Sequence, residues 1–380
     1  MRLNVEDFRL DAKKALPRFA FDYVDGAAET NSCARRNKID LDGIQLMPRV
    51  LRDTSSLDTR ISVFGDVWKR PYAVAPMGFN GLTRPGGDVI LARAAAAHGI
   101  PFVLSTASNE RLEAVADSGG VNWLQVYVMK DRSIAAQMVR RAKQSGYKAI
   151  VLTVDVPVSG YRERDVRNGF RLPFRPKAST LLDLVRHPGW LSRFLKSGMP
   201  GFVNLAEDPN ASTLELQAAL LSREMDRGLV WDSIAWLRSI WDGPLLLKGI
   251  LNPLDAARAI GAGVDGLIVS NHGGRQLDGA VSSILSLEKV LSAVNGRAPV
   301  FVDSGFRSGA DISKALCLGA RAVFVGRPLL YGLAVDGLRG VDTVLGILAA
   351  GLERSMILLG AASVGELDRG LIFREGDGHA

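Results

Sequence analysis

A chain of 380 residues, 47% hydrophobic and 23% charged, has a globular composition and the length of one large α/β barrel or two ordinary domains. Its net charge of +7, from 47 Lys and Arg against 40 Asp and Glu, comes without a groove-reading or basic-aromatic motif, so no nucleic-acid partner is expected. An anionic cofactor, an anionic substrate or an anionic membrane surface suits the excess.

The N-terminus, Met1 to Asp7, has no apolar leader core. No uncharged apolar run reaches the roughly 18 residues of a spanning helix, so the chain is expected in the cytoplasm or on the membrane's cytoplasmic face. Residues 4–30 read as a helical cap, with Asn4 as N-cap and Pro17 as its break. Beyond it one pattern recurs: an Ala-rich helical stretch, a glycine, then a short apolar run. Gly99, Gly146, Gly263 and Gly319 are the glycines, each suited to the left-handed residue that ends a helix. The runs that follow suit strands buried on both faces of a parallel sheet.

Eight strands are predicted, near 72–75, 102–104, 123–127, 149–153, 244–247, 266–269, 299–302 and 322–325. Eight βα units predict a (β/α)8 TIM barrel, class α/β, with an open doubly wound sheet as its rival. The barrel core spans about 70–340 of a single domain. Residues 156–243 are a long insertion after strand four, 341–370 read as helical, and 375–380 as a frayed tail.

Catalytic groups of such barrels project from the C-terminal strand ends. Here those ends carry Ala75-Pro76-Met77-Gly78, Ser105-Thr106, Gln125 with Tyr127, Thr153-Val154-Asp155, Lys248-Gly249, Ser270 to Gln276, Asp303 to Arg307 and Gly326-Arg327. Polar residues at buried ends are costly unless paired, so eight such ends imply a large polar ligand. Gly305 and Gly326 allow close backbone approach, and Arg307 and Arg327 add charge, as a phosphate cradle after strands seven and eight requires. No G-x-G-x-x-G follows the first strand, which argues against a Rossmann site. His272 follows a buried strand and precedes Gly273-Gly274, with Arg275 three residues on. That spacing can hold an imidazole and a guanidinium over one anion.

Cys33 and Cys317 are too few for a disulfide framework, and Cys317 reads as a buried thiol. His98, His187, His272 and His379 lack metal-ligand spacing, so no metal is expected. Glu163 and Arg164 read as ion-pair residues, Asp278 as ordering its loop, His98 as structural and His379 as part of the tail.

The run Ser270-Asn271-His272-Gly273-Gly274-Arg275-Gln276-Leu277-Asp278 resembles the active-site signature of the FMN-dependent 2-hydroxy-acid oxidising family. Phe21 to Gly26, Ala75 to Gly78, Leu124 to Tyr127, Thr153 to Asp155 and Gly160 to Asp165 extend the resemblance over nearly the whole chain. Leu104 to Asn109, Gly160 to Asp165 and Asp303 to Arg307 are most similar to its membrane-associated, mandelate-oxidising branch. The resemblance implies His272 as base, Asp155 as the carboxylate holding the imidazole, and Arg162 with Arg275 gripping the substrate carboxylate. Tyr127 and Tyr23 would flank the substrate's hydroxyl and carboxylate, and Lys248 the flavin N1 and C2 oxygen. It places Pro76, Met77, Gly78, Ser105, Gln125, Thr153 and Ser270 on the isoalloxazine, and Asp303, Gly305, Arg307, Gly326 and Arg327 on the ribityl phosphate. Gly78 would leave room for an aromatic 2-hydroxy acid such as (S)-mandelate, with lactate the alternative.

Residues 175–202 are apolar at Leu181, Leu182, Leu184, Val185, Trp190, Leu191, Phe194 and Leu195, and cationic at Arg175, Lys177, Arg186, Arg193 and Lys196. A basic, amphipathic, Trp-bearing segment predicts an interfacial helix pair split at Pro188; a lid packed on the barrel is the other reading. With the resemblance, this implies peripheral attachment to the cytoplasmic face of the inner membrane. It also implies a quinone or respiratory-chain acceptor and a homotetramer. A soluble relative of the family would pass its electrons to oxygen and make peroxide.

Overall fold

The computed structural model describes residues 1–170, 178–198, 200–205 and 225–373. A two-stranded antiparallel hairpin, β1 (Ile61–Val63) and β2 (Asp66–Trp68), precedes eight parallel strands. These are β3 (Tyr72–Val74), β4 (Phe102–Ser105), β5 (Asn122–Val126), β6 (Ala149–Thr153), β7 (Leu245–Ile250), β8 (Gly266–Val269), β9 (Val300–Val302) and β10 (Val323–Val325). They close in chain order, with β10 pairing β3. The expected eight-stranded barrel is therefore the fold, and the open sheet is excluded. The four glycines expected at helix ends all adopt positive φ, from 63° at Gly99 to 110° at Gly319. Each helix can therefore stop and turn its chain directly into the next strand.

Alternation along the strands separates two cores. Ala73, Val103, Trp123, Val151, Leu246, Ile268, Phe301 and Phe324 fill the barrel interior, while their neighbours pack outward on the helices. The hairpin plugs the interior from below: Trp68 is fully buried, stacked on Phe301 at 6.1 Å and edge-on to Trp123 at 5.5 Å. That plug leaves the opposite, C-terminal mouth as the open end. Register aligns its polar residues, with Ser105 beside Gln125 and Thr153 beside Lys248.

The N-terminal cap forms helices Val5–Ala15 and Arg18–Asp25. The Asn4 side chain accepts from the Asp7 N–H, and Pro17 stands at the break. A further helix, Ser32–Gly43, follows. The helical stretch of the C-terminal part runs from Arg327 to Leu359, is broken at Asp336 and Gly337, and ends at Gly360 in the left-handed conformation. The helical expectation for 341–370 thus fails beyond residue 359, where only short 3-10 turns at Val364–Glu366 and Arg369–Leu371 occur. The 375–380 tail, with His379, lies outside the described residues.

In the insertion, helices Ala178–Val185 and Pro188–Ser197 are split at Pro188 as expected. Their apolar residues divide between two faces. Leu181, Leu182, Val185 and Leu195 are exposed, whereas Leu184, Leu191 and Phe194 pack on the core. Trp190 departs from the expected interfacial position. It is buried, stacks on Phe194 at 4.5 Å, meets Phe19 edge-on at 5.7 Å and donates its indole N–H to the Leu82 carbonyl at 2.8 Å. An indole needs a partner for its N–H when buried, and the barrel supplies one. Arg175 and Lys177 lie outside the described residues.

Candidate active site

Above the barrel's C-terminal mouth lies a cavity of about 830 Å³, ample for a cofactor with a small substrate. His272 reaches it from the turn after β8, backed by Asp155 at the end of β6, which does not itself line the cavity. His272 Nδ1 stands 3.2 and 3.3 Å from the two Asp155 carboxylate oxygens. With Nδ1 donating there, Nε2 is the basic nitrogen. Burial works against the Asp155 charge, but the imidazole and then Lys248 outweigh it and hold the carboxyl below its usual range. His272 has φ of +59°, a conformation non-glycine residues adopt at a cost and mostly where structure around them enforces it. The enforcing bonds are from His272 N to the Ser270 hydroxyl at 3.0 Å and from Gly273 N to the Ser304 hydroxyl at 2.9 Å.

Two guanidiniums line the same cavity as the imidazole. Arg162 and Arg275 lie 5.4 and 5.0 Å from the Tyr23 ring centre, both within cation–π reach. Arg162 is fixed by Asp165, which accepts its Nε–H at 2.6 Å. Arg275 donates to the carbonyls of Tyr23 and Gly26 at 2.8 and 2.9 Å. Burial, and then the neighbouring Arg162 charge, pulls the Arg275 guanidinium down to about 10. Two half-buried cations held together favour an anion between them. Tyr127 also lines the cavity, and burial followed by the Asp155 charge raises its phenol. Tyr23 donates its hydroxyl to the Gly78 carbonyl at 3.4 Å.

Met77, Pro76, Gly78 and Ser105 line one side of the same cavity; Lys248, Asp303, Gly305, Arg307, Gly326 and Arg327 line another. Lys248 is buried, with Nζ 3.0 Å from the Ser270 hydroxyl and 3.2 Å from Asp303. Gln125, Thr153 and Ser270 do not line the cavity; they sit fully within the strand ends behind Ser105 and Lys248. Gln125 accepts from the Ser105 hydroxyl, yet its Nε2 and the Thr153 hydroxyl have no partner among the described residues. Orphaned buried polar groups need an explanation, and these sit in register behind Ser105 and Lys248, which do line the cavity. Arg327 is more occupied than its expected phosphate role implies. It donates to the carbonyls of Val24 at 3.1 Å, Gly26 at 2.8 Å and Gly273 at 2.9 Å. Gly78 also has a packing reason, since a Cβ there would lie 2.8 Å from the Ala107 Cβ.

Several contributors escape sequence reasoning. Gln276 donates to the carbonyls of Asp155 and Val158 and accepts from Gly160 N, tying the β6 loop to the His272 turn. Gly160 is pressed so close that a Cβ would meet the Arg275 carbonyl at 2.1 Å. Asp165 could have been found from its i,i+3 spacing to Arg162. Asp278, expected to order its own loop, instead accepts from Thr30 and Cys33 and so ties that loop to the N-terminal segment. Glu163 pairs with Arg167 at 2.6 Å, and Arg164 with Asp25 at 3.2 Å, the ion-pair roles expected of them. Among the described residues no cluster of metal-binding side chains occurs.

A family model described as FMN-dependent dehydrogenase matches residues 12–374. The chain is 44% identical to (S)-mandelate dehydrogenase of Pseudomonas putida, covering 98% of this chain and 94% of that protein. It is 42% identical to a peroxisomal (S)-2-hydroxy-acid oxidase of Oryza sativa subsp. japonica, covering 99% and 97%. L-lactate dehydrogenase of Ectopseudomonas mendocina is 40% identical over 97% and 98% of the two chains. Among solved structures, that of a monotopic membrane protein (S)-mandelate dehydrogenase superimposes with a TM-score of 0.94 at 43% identity, covering 98% of this chain and 99% of that one. The two arginines beside Tyr23, the imidazole–carboxylate pair and the orphaned donors behind the cavity agree with that kinship: the chain belongs to the FMN-dependent dehydrogenase family, an oxidoreductase of 2-hydroxy acids with FMN as its cofactor.

Proposed function

We propose that this enzyme oxidises (S)-mandelate or a similar aromatic L-2-hydroxy acid to the 2-oxo acid, as one domain attached peripherally to the cytoplasmic face of the inner membrane. The observation that carries the reading is the convergence of His272, Arg162 and Arg275 on one cavity. Arg162 and Arg275 take the substrate carboxylate, whose two oxygens match forked guanidinium donors. Tyr23 and Tyr127 orient the carboxylate and the hydroxyl. That leaves the α-carbon and its hydroxyl beside His272, which accepts a proton at Nε2. Asp155 keeps the imidazole in the competent tautomer and stabilises its cation.

Bound FMN supplies the two-electron acceptor. Pro76, Met77, Gly78, Ser105, Gln125, Thr153 and Ser270 would hold its ring system, and Lys248 would sit where negative charge gathers. Asp303, Gly305, Arg307, Gly326 and Arg327 would hold the ribityl phosphate, with Arg327 doing so while it braces the backbone.

The exposed leucines of the insertion beside Arg186 and Lys196 support membrane contact, as does the likeness to a monotopic mandelate dehydrogenase; a quinone as electron acceptor and a homotetrameric assembly complete the reading. Among the described residues no helix is long and apolar enough to cross a membrane, so the attachment proposed is interfacial. A second reading, favoured by the lactate dehydrogenase and plant oxidase relatives, is an aliphatic substrate or oxygen as acceptor. Anaerobic bleaching of the flavin spectrum by a panel of 2-hydroxy acids tests the substrate. Peroxide yield under air, set against quinone reduction in membrane fractions, tests the acceptor. Failure of every 2-hydroxy acid to bleach the flavin would end the proposal.

A further inference from the structure

One wall of the cavity is aromatic, and the insertion builds part of it. Phe79 follows Gly78 and lies 5.1 Å from Phe202 and 6.2 Å from Phe170, centre to centre. Tyr23 joins the group at 6.0 Å from Phe79 and 5.4 Å from Phe170. All four line the cavity. The wall is therefore continuous with the ring on which the two carboxylate-gripping arginines rest.

This wall is held with more structure than simple packing needs. Phe79 has φ of +63°, an expensive conformation for an aromatic residue. The Gly81 N–H that follows donates to Asn109 Oδ1 at 2.8 Å, and Asn109 Nδ2 donates to the Gly201 carbonyl at 2.7 Å. Asn204 grips the other side of Phe202, accepting from Leu112 N at 3.0 Å and donating to the Glu110 carbonyl at 2.9 Å. Asp88 is wholly buried and holds Asn80 and Ser108, each at 2.7 Å. One polar network thus fixes the Phe79 turn, the β4 loop and residues 201–204 relative to one another.

We propose that Phe79 and Phe202 are specificity-determining residues that select a flat aromatic substituent on the substrate's α-carbon. The inference rests on the 2-hydroxy-acid reading above and deepens it. The carboxylate and the α-carbon are held identically for every 2-hydroxy acid, so the substituent alone can distinguish substrates. A planar ring gains offset or edge-to-face contacts on this wall beyond its burial, whereas a methyl or a saturated ring gains only burial.

The test is anaerobic stopped-flow reduction of the FMN-loaded enzyme. In the wild type, (S)-mandelate should be processed about tenfold more efficiently than its cyclohexyl analogue, a ring of similar size without π faces. In Phe202→Leu and Phe79→Leu the ratio of mandelate to lactate efficiency should fall about tenfold, and Phe202→Tyr should restore it. Equal efficiency for the phenyl and cyclohexyl acids in the wild type overturns the proposal without any variant having to fold. An unchanged mandelate-to-lactate ratio in the leucine variants overturns it too. Reduction by lactate with no preference for the phenyl acid sinks the wall alone. Reduction by no 2-hydroxy acid sinks the underlying functional reading and the wall with it.

Discussion

His272 and Asp155 stand 117 positions apart in the chain, yet an imidazole nitrogen of one lies 3.2 Å from a carboxylate oxygen of the other. The barrel makes this contact by aligning the ends of β6 and β8 across β7, and Gln276 locks it by binding the Asp155 carbonyl. Removing the base should leave the cofactor site intact. His272→Ala is expected to purify with FMN but to reduce it at least about 10²-fold more slowly, the size of a general-base contribution. His272→Asn serves as a companion, because asparagine tolerates the +59° φ that alanine resists. Near wild-type reduction in both variants would remove the residue from catalysis.

Arg275 is expected to act on binding of both substrate and transition state. Arg275→Met should lower kcat/KM by about 30-fold or more, since on the proposed reading it removes a hydrogen-bonded charge partner of the substrate carboxylate, a loss of roughly 2 kcal/mol or more. Arg275→Lys should recover little, because a point charge cannot reproduce the fork that also binds the Tyr23 and Gly26 carbonyls. Steady-state kinetics on matched FMN content decides it, and an unaltered kcat/KM would place the substrate carboxylate elsewhere.

The two faces of the insertion call for a surface experiment rather than a deletion. Excising the helices would uncover the Phe19 and Leu82 surfaces that Trp190 covers. Replacing Leu181, Leu182, Val185 and Leu195 together by serine leaves that packing alone. The variant is expected to move from the membrane fraction to the supernatant while its flavin is reduced within about twofold of the wild-type rate, a difference under about 0.4 kcal/mol. Co-sedimentation with anionic vesicles measures the first outcome. Unchanged sedimentation would assign those leucines to something other than lipid.

Asp25 connects the cap to the barrel through Arg9, Arg164 and the Tyr331 hydroxyl. Burial opposes its charge, but the Arg9 bonds prevail and bring the carboxyl from 3.8 to about 2. A depressed folded-state value means the stabilisation is complete above pH 3.8 and disappears as pH falls through about 2. Asp25→Asn should therefore cost about 2 kcal/mol at pH 7, and the gap between variant and wild type should narrow at pH 3. Urea midpoints at the two pH values check this, and a gap independent of pH would show that the carboxylate's charge is not what stabilises.

The barrel strands were legible because each is a short, uniformly apolar run set off by a helix-ending glycine, and β6 and β8 fall where that pattern puts them. The helix Ser32–Gly43 was not, since only Cys33, Asn37 and Leu41 face inward and one of these is polar. The β1–β2 hairpin was missed because three-residue strands carry no periodicity, although Trp68 is among the most deeply buried side chains. At the site, the polar and charged residues that line the cavity are conspicuous by type and place. Gln276, Asn109 and Asn204 act by hydrogen bonds between distant loops, and nothing local in a sequence marks an asparagine as a clasp. Trp190 shows the converse: composition marked it for an interface, but the Leu82 carbonyl and the Phe19 ring gave it a better home.

Arg327 has a consequence for how the enzyme comes into being. The turn that presents Tyr23 leaves the ribosome well ahead of the barrel, yet Val24 and Gly26 are held by a side chain synthesised some three hundred residues later. Arg275 can hold the Tyr23 and Gly26 carbonyls earlier, but until Arg327 is made the turn lacks its remaining clamp and this side of the cavity is incomplete. Competence for flavin and substrate should therefore arrive in one late step, when the last strand closes the barrel, and nascent chains truncated before residue 327 should be unable to acquire it.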